Sequence, residues 1–142
     1  MKLSEWSEQS MYSYGPGPWA RQVIVRAIMD LNTGEDPVVY TSIDPGTPER
    51  PLVTIRVLAA LTAGLATAIV TTDPTHAQDA RMSIVIVPWS AIAPTLRLEV
   101  SGDPEERLPV VVTIGDETIG ARRDERAALT AFYLEASRVA NG

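Results

Sequence analysis

Six short β-prone runs follow one another through the middle of the chain, each separated from the next by proline, glycine or aspartate. Runs of this kind predict strands, and the residues between them predict turns. No interval contains the long helix that a parallel crossover requires, so antiparallel pairing is expected. The predicted strands are residues 38–43, 52–58, 65–71, 82–87, 96–100 and 110–114.

Alternation within the runs indicates that the predicted sheet has one face in the core. In the second run, Val53, Ile55 and Val57 alternate with Thr54 and Arg56. Successive side chains of a strand point to opposite faces, so this pattern is typical of a half-buried strand. The segment 115–120 contains two glycines without phosphate-loop spacing, and it is interpreted as a hairpin turn that leads to the last helix.

Helical periodicity brackets the strands at both ends. Residues 19–31 place polar side chains on one side, and Pro18 suits the first turn. The β-branched run 23–25 leaves a strand as the alternative. A second amphipathic helix begins near Asp124, which can cap it. The predicted apolar face of the first helix is Trp19, Val23, Ala27, Ile28 and Leu31, and that of the second is Ala128, Leu129, Phe132, Ala136 and Val139.

Together these elements predict one α+β domain. We expect a predominantly antiparallel sheet or small barrel of about six strands, with an N-terminal helix and a C-terminal amphipathic helix that covers one face or one open end. The length of 142 residues is typical of a single domain. Residues 1–18, which end in a Pro/Gly-rich run, form a predicted arm, and residues 19–142 form the globular domain.

The composition of the chain indicates its cellular compartment and the kinds of partner that it can bind. The chain has no cysteine and no signal-peptide pattern, which favours a reducing cytoplasm. Abundant arginine and alanine beside a single lysine suggest a bacterial source. A net charge of −6 disfavours nucleic acid, and the most apolar stretch, residues 52–70, is interrupted by Arg56 and by polar residues, which disfavours a membrane span.

The only histidine, His76, lies three residues from both Asp73 and Asp79. This spacing resembles half of a metal site, but a metal needs three or four convergent ligands, and a polar loop between strands contains such residues for solubility. Neither Ser83 nor Ser90 lies in a nucleophile motif. We therefore expect no metal, no cofactor and no catalytic grouping.

Trp89 follows Pro88 at the end of a predicted strand. An aromatic residue at such a bend usually fills the core, and the alternative is a ligand pocket. The second interpretation predicts a small-molecule-binding barrel, or an enzyme, whose site lies near Trp89 with His76 and Asp79 at its mouth.

The first nineteen residues, which include the N-terminal arm, contain half of the eight aromatic residues of the chain. Large rings on a stiff backbone lose little freedom on docking and are favourable binding elements. The arm either folds back over the chain's own sheet or contacts a partner or second subunit. We expect a non-enzymatic protein-interaction, regulatory or assembly module with a protein partner or self-association. The candidate partner-binding residues are Trp6, Tyr12, Tyr14 and Trp19.

Overall fold

The computed structural model describes residues 1–8, 18–44, 46–73, 76–103, 105, 107 and 109–142, with the backbone alone at 18–20, 73 and 76–80. These ranges contain four α-helices, seven strands and a 3-10 turn at Ala93–Thr95. The helices are α1 (Leu3–Ser7), α2 (Pro18–Leu31), α3 (Trp89–Ile92) and α4 (Arg126–Asn141). The strands are β1 (Val39–Asp44), β2 (Val53–Ala60), β3 (Leu65–Asp73), β4 (His76–Val87), β5 (Arg97–Val100), β6 (Val110–Ile114) and β7 (Glu117–Ala121).

The strands form two antiparallel sheets, a four-stranded sheet in the order β1-β2-β3-β4 and a three-stranded sheet in the order β5-β6-β7. Every neighbouring pair is antiparallel and sequential along the chain. The predicted α+β class with antiparallel pairing is confirmed. Of the two predicted forms, the described strands adopt open sheets rather than one barrel.

Both faces of the four-stranded sheet are covered, because alternate residues of its strands enter different cores. Val57 of β2 belongs to a core beneath α1 and α2, which we call the helix-side core. Its neighbour Leu58 belongs to a second core beneath α4 and the three-stranded sheet. The helix-side core includes Leu3, Trp6, Ile24, Ile28, Ile55 and Val70, and the second core includes Tyr40, Trp89, Val112, Ile119, Leu129 and Phe132.

The segment predicted as a turn before the last helix contains a further strand, β7. Gly115, which has a φ of 61°, and Asp116 form the turn, and β7 then pairs with β6. Ile119 and Ala121 alternate with exposed or half-buried neighbours and are themselves buried. A strand only five residues long is stabilised mainly by this burial, which short-range sequence signals reveal poorly.

Strand β4 is twice as long as the run that predicted it. It begins at His76 rather than at Met82, so His76 and Asp79 lie on a strand and not in a loop. Pairing with β3 extends it, since Thr71 faces Arg81 and Asp73 faces His76 across a register irregularity. The hydrogen bonds of a partner strand override the weak β-propensity of residues 76–80.

Helix α2 confirms the predicted N-terminal helix but presents a different face to the core. Ile24 and Ile28 are fully buried, whereas Val23 and Leu31 are exposed. Arg21 is also buried, and its guanidinium lies 5.3 Å from the centre of the Trp6 ring. The contact with α1 therefore turns the row 21, 24 and 28 inward.

Helix α1 lies within the predicted polar arm. The Ser4 backbone N–H donates to Asp36 Oδ1 at 3.1 Å, and the Ser4 hydroxyl contacts the other carboxylate oxygen. A carboxylate 32 residues away thus satisfies a donor in the first turn of the helix. Such a long-range partner leaves no local sequence signal.

Helix α4 confirms the predicted C-terminal amphipathic helix. Leu129, Phe132 and Ala136 are fully buried, Val139 is half-buried, and Ala128 is exposed. Arg126 faces solvent, as expected. Among the described residues, none of the helices combines the length and apolar character needed to cross a membrane.

Candidate interaction surface

The four-stranded sheet has two edges, and the chain covers the start of the β1 edge with its own N-terminus. The Val39 N–H donates to the Met1 carbonyl at 2.8 Å, and the Leu3 N–H donates to the Pro37 carbonyl at 2.8 Å. Lys2 forms an isolated antiparallel bridge with Val38. This short segment therefore satisfies backbone groups at the start of the edge, where an unpaired strand attracts other chains.

Strand β4 forms the other edge of this sheet. It is 12 residues long and pairs with β3 on one side, and no strand of the described chain pairs with its other side. In an antiparallel ladder, alternate residues direct their N–H and C=O groups toward opposite neighbours. The outer side of β4 therefore presents a row of backbone donors and acceptors.

The described side chains of β4 are mostly apolar. Met82, Ile84 and Ile86 are half-buried at the margin of the helix-side core. On the opposite face, Ser83 and Arg81 are exposed, and 54% of Val85 is exposed. Natural edge strands are commonly protected by lysine, proline or inward-pointing charge, and residues 82–87 contain none of these.

The edges of the three-stranded sheet are shorter and carry charge. Strand β5 has four residues, and its exposed Arg97 and Glu99 form an ion pair at 3.0 Å. Strand β7 has five residues, and Glu117 at its start lies 3.5 Å from the Arg56 Nε atom of β2. Short charged strands are poor templates for pairing, so β4 is the long apolar edge of the described fold.

Among the aromatic residues of the arm, Trp6 packs against this chain's own sheet. Its ring is buried in the helix-side core, and its Nε1 donates to the Thr41 hydroxyl at 3.0 Å. Trp19 lies in the first turn of α2, and its side chain is outside the described residues, as are Tyr12 and Tyr14 entirely. The described structure therefore places Trp6 in a core and does not show the four rings as one surface.

Trp89 is buried in the second core beside Ile92, and its Nε1 donates to the Leu61 carbonyl at 2.7 Å. His76 and Asp79 lie near the opposite end of β4, and their side chains are outside the described residues. A strand rises about 3.3 Å per residue, so His76 and Val87 are separated by roughly 35 Å along the backbone. The backbones of Trp89 and His76 thus lie near opposite ends of β4.

A polar cavity of about 280 Å³ lies elsewhere, between α4, the loop before β1 and the N-terminal residues. Its charges include Lys2, Glu35, Asp36, Glu135 and Arg138. The Arg138 Nε donates to Glu135 at 3.0 Å, and this hydrogen bond lowers the pKa of the Glu135 carboxyl. Asp36 accepts hydrogen bonds from Ser4 of α1, so three of the charged residues of this cavity are already engaged within the chain.

Tyr40 of β1 and Arg56 of β2 each carry a buried polar atom. Only 5% of Tyr40 is exposed, and the buried Arg56 Nε atom has only the ion-pair contact of 3.5 Å with Glu117. Burial, with the nearby carboxylates of Glu125 and Asp124, raises the pKa of the Tyr40 phenol from 10.0 to about 12. The folded state therefore favours the neutral phenol.

This shift predicts a loss of stability in strong alkali. Below pH 10.0 the phenol is neutral in both states, and between pH 10.0 and about 12 the unfolded state ionises first, so stability falls. In a spectrophotometric titration of phenolate absorbance, we expect Tyr40→Phe to remove a component with a pKa of about 12. A Tyr133→Phe control should retain that component, and its retention in Tyr40→Phe would contradict the assignment.

Within the described residues, no three His, Asp or Glu side chains are grouped in a way that could hold a metal ion. No protein-family model matches the chain, and comparison with curated proteins and with solved structures gives no match.

Proposed function

We propose that this chain is a non-enzymatic protein-interaction module of a bacterial cytoplasm, and that the outer edge of β4 is its contact surface. The observation that carries the proposal is the apolar run of residues 82–87 in β4, at an edge with which no described strand pairs, in a sheet whose other edge is covered at its start by the chain's own N-terminus. A partner would add an extended segment to β4 as a further strand.

Strand addition fits the two kinds of group that β4 presents. Backbone hydrogen bonds supply affinity in this mode of recognition, and alternate side chains of the added strand supply specificity. Met82, Ile84 and Ile86 lie at the margin of the helix-side core. Apolar side chains of a partner strand would continue this core outward and remove the exposed part of the row from water.

The setting is part of the proposal and rests on composition. The cysteine-free sequence fits a reducing compartment, and its richness in arginine over lysine fits a bacterial source. The net charge of −6 favours a protein partner over a nucleic acid.

A labelled peptide tests whether the β4 edge accepts a strand. The probe is residues 80–87 flanked by lysines for solubility, and fluorescence anisotropy is measured while dilute protein is added. We expect saturable binding, and we expect a peptide with proline in place of Ile84 to bind at least about tenfold more weakly, because proline removes a donor and disrupts the ladder.

Two protein variants make this test specific to the edge. Val85→Lys should weaken peptide binding, whereas Val100→Lys should not, although 54% and 55% of these two valines are exposed. Equal binding of the two peptides, or equal effects of the two lysines, would argue against strand addition at β4.

A further inference from the structure

We infer that the strand added to β4 is β4 of a second copy of this chain, so that two four-stranded sheets join into one eight-stranded sheet. The two copies are related by a two-fold axis perpendicular to the sheet. The inference rests on the proposed function, because it identifies the partner of the same edge. Two-fold dimers are also the commonest homo-oligomers.

The pleat of the strand makes β4 complementary to itself. In an antiparallel pair, directly opposed residues project from the same face of the sheet. A new strand can pair only with those residues of β4 whose backbone N–H and C=O groups point outward, and these residues alternate along the strand. Because a two-fold axis opposes such residues of one copy to such residues of the other, even-numbered residues face even-numbered residues. The row of Met82, Ile84 and Ile86 therefore meets the same row of the second copy, whichever residue lies on the axis.

This matching joins two incomplete cores. Each of these three side chains is half-buried against its own helix-side core. In the dimer, the two rows cover each other, and the two helix-side cores become one layer beneath four helices. Apolar cross-strand contact is the main source of side-chain stabilisation in such a pair.

The same structure explains why the assembly closes at two copies. Pairing through β4 leaves the β1 edges at the two ends of the combined sheet, and the backbone bonds of Met1 and Leu3 occupy the start of each. An open-ended array would require a second free edge on every copy. Electrostatic repulsion also favours an assembly of only two copies, because each chain has a net charge of −6 and repulsion increases with every added copy.

Light scattering measures the predicted state directly. We expect the full chain to have twice its mass of 15.4 kDa and Val85→Lys to raise the dimer dissociation constant at least about tenfold, because each copy then brings a lysine to the pairing edge. Val100→Lys is the matched control and should remain dimeric. Both positions are more than half exposed, and circular dichroism confirms that each variant is folded.

The absence of native cysteine permits a second measurement that locates the axis. Arg81→Cys, Ser83→Cys and Val85→Cys are oxidised singly and in pairwise mixtures. A residue on the axis forms a disulfide with its own copy, and two residues at equal distance on either side of the axis cross-link when mixed, because opposed strand residues lie within disulfide range. Val100→Cys should give no specific cross-link.

The outcomes separate this inference from the proposed function. A dimer weakened by Val85→Lys with one consistent cross-linking register supports the inference. A chain that stays monomeric while the β4 peptide binds would contradict the inference that the partner is a second copy, and it would still support strand addition at β4. A dimer unaffected by Val85→Lys and without β4 cross-links overturns the inference, and a monomer that binds no peptide overturns both proposals.

Discussion

Replacing Phe132 with alanine is expected to lower the free energy of unfolding by about 3–5 kcal/mol, the usual cost of truncating a buried aromatic residue. Phe132 is fully buried in the second core, and its ring centre lies 6.2 Å from that of Tyr40. The side chain thus joins α4 to the four-stranded sheet. Its removal leaves a cavity where these two elements meet.

Urea denaturation followed by circular dichroism measures this loss. The control is Leu134→Ala on the same helix, where 61% of the side chain is exposed. Because leucine and alanine both favour helices, this control should change stability by no more than about 0.5 kcal/mol. Similar stability of the two variants would show that α4 does not pack through Phe132.

The sequence predicts best those elements whose buried residues recur at a regular, short spacing along the chain. Helix α4 shows its buried face through the spacing of Leu129, Phe132 and Ala136, and β2 shows its two faces through strict alternation. In both cases the pattern is visible within about four residues.

The elements that the sequence analysis missed depend on distant residues. Helix α1 begins where Asp36 accepts the Ser4 N–H, and the first half of β4 exists because β3 extends beside it. Strand β7 pairs with β6, and its Ile119 and Ala121 are buried in the second core. Local propensity cannot register partners that the fold brings together from tens of residues away.

The candidate surface was partly visible in the sequence. The uncharged, proline-free run of residues 82–87 predicts a strand, but its position at an edge follows only from the strand order, which the sequence does not provide. The aromatic residues near the N-terminus instead favour the arm as the predicted contact surface. The structure buries Trp6 of that arm and leaves the apolar row of β4 half-exposed.

Replacing Trp6 with alanine is expected to lower the free energy of unfolding by about 3 kcal/mol. The substitution removes a buried ring, the hydrogen bond to Thr41 and the ring beneath the Arg21 guanidinium. Trp6→Phe retains most of the apolar area and should cost only about 1 kcal/mol through the lost hydrogen bond. Exposed Glu5 of the same helix provides the control, Glu5→Ala. Equal stability of Trp6→Ala and Glu5→Ala in urea denaturation would contradict the packing of α1.

Loss of Trp6 should also change the assembly, because α1 anchors the residues that cover the β1 edge. If α1 detaches, the hydrogen bonds of Val39 to Met1 and of Leu3 to Pro37 are lost with it. Each chain then has two free edges, and pairing at both no longer closes at two copies. Light scattering of Trp6→Ala should therefore detect species larger than a dimer, and Val85→Lys in the same chain should reduce them. A Trp6→Ala protein that remains a discrete dimer would show that the N-terminal bridge does not limit the assembly.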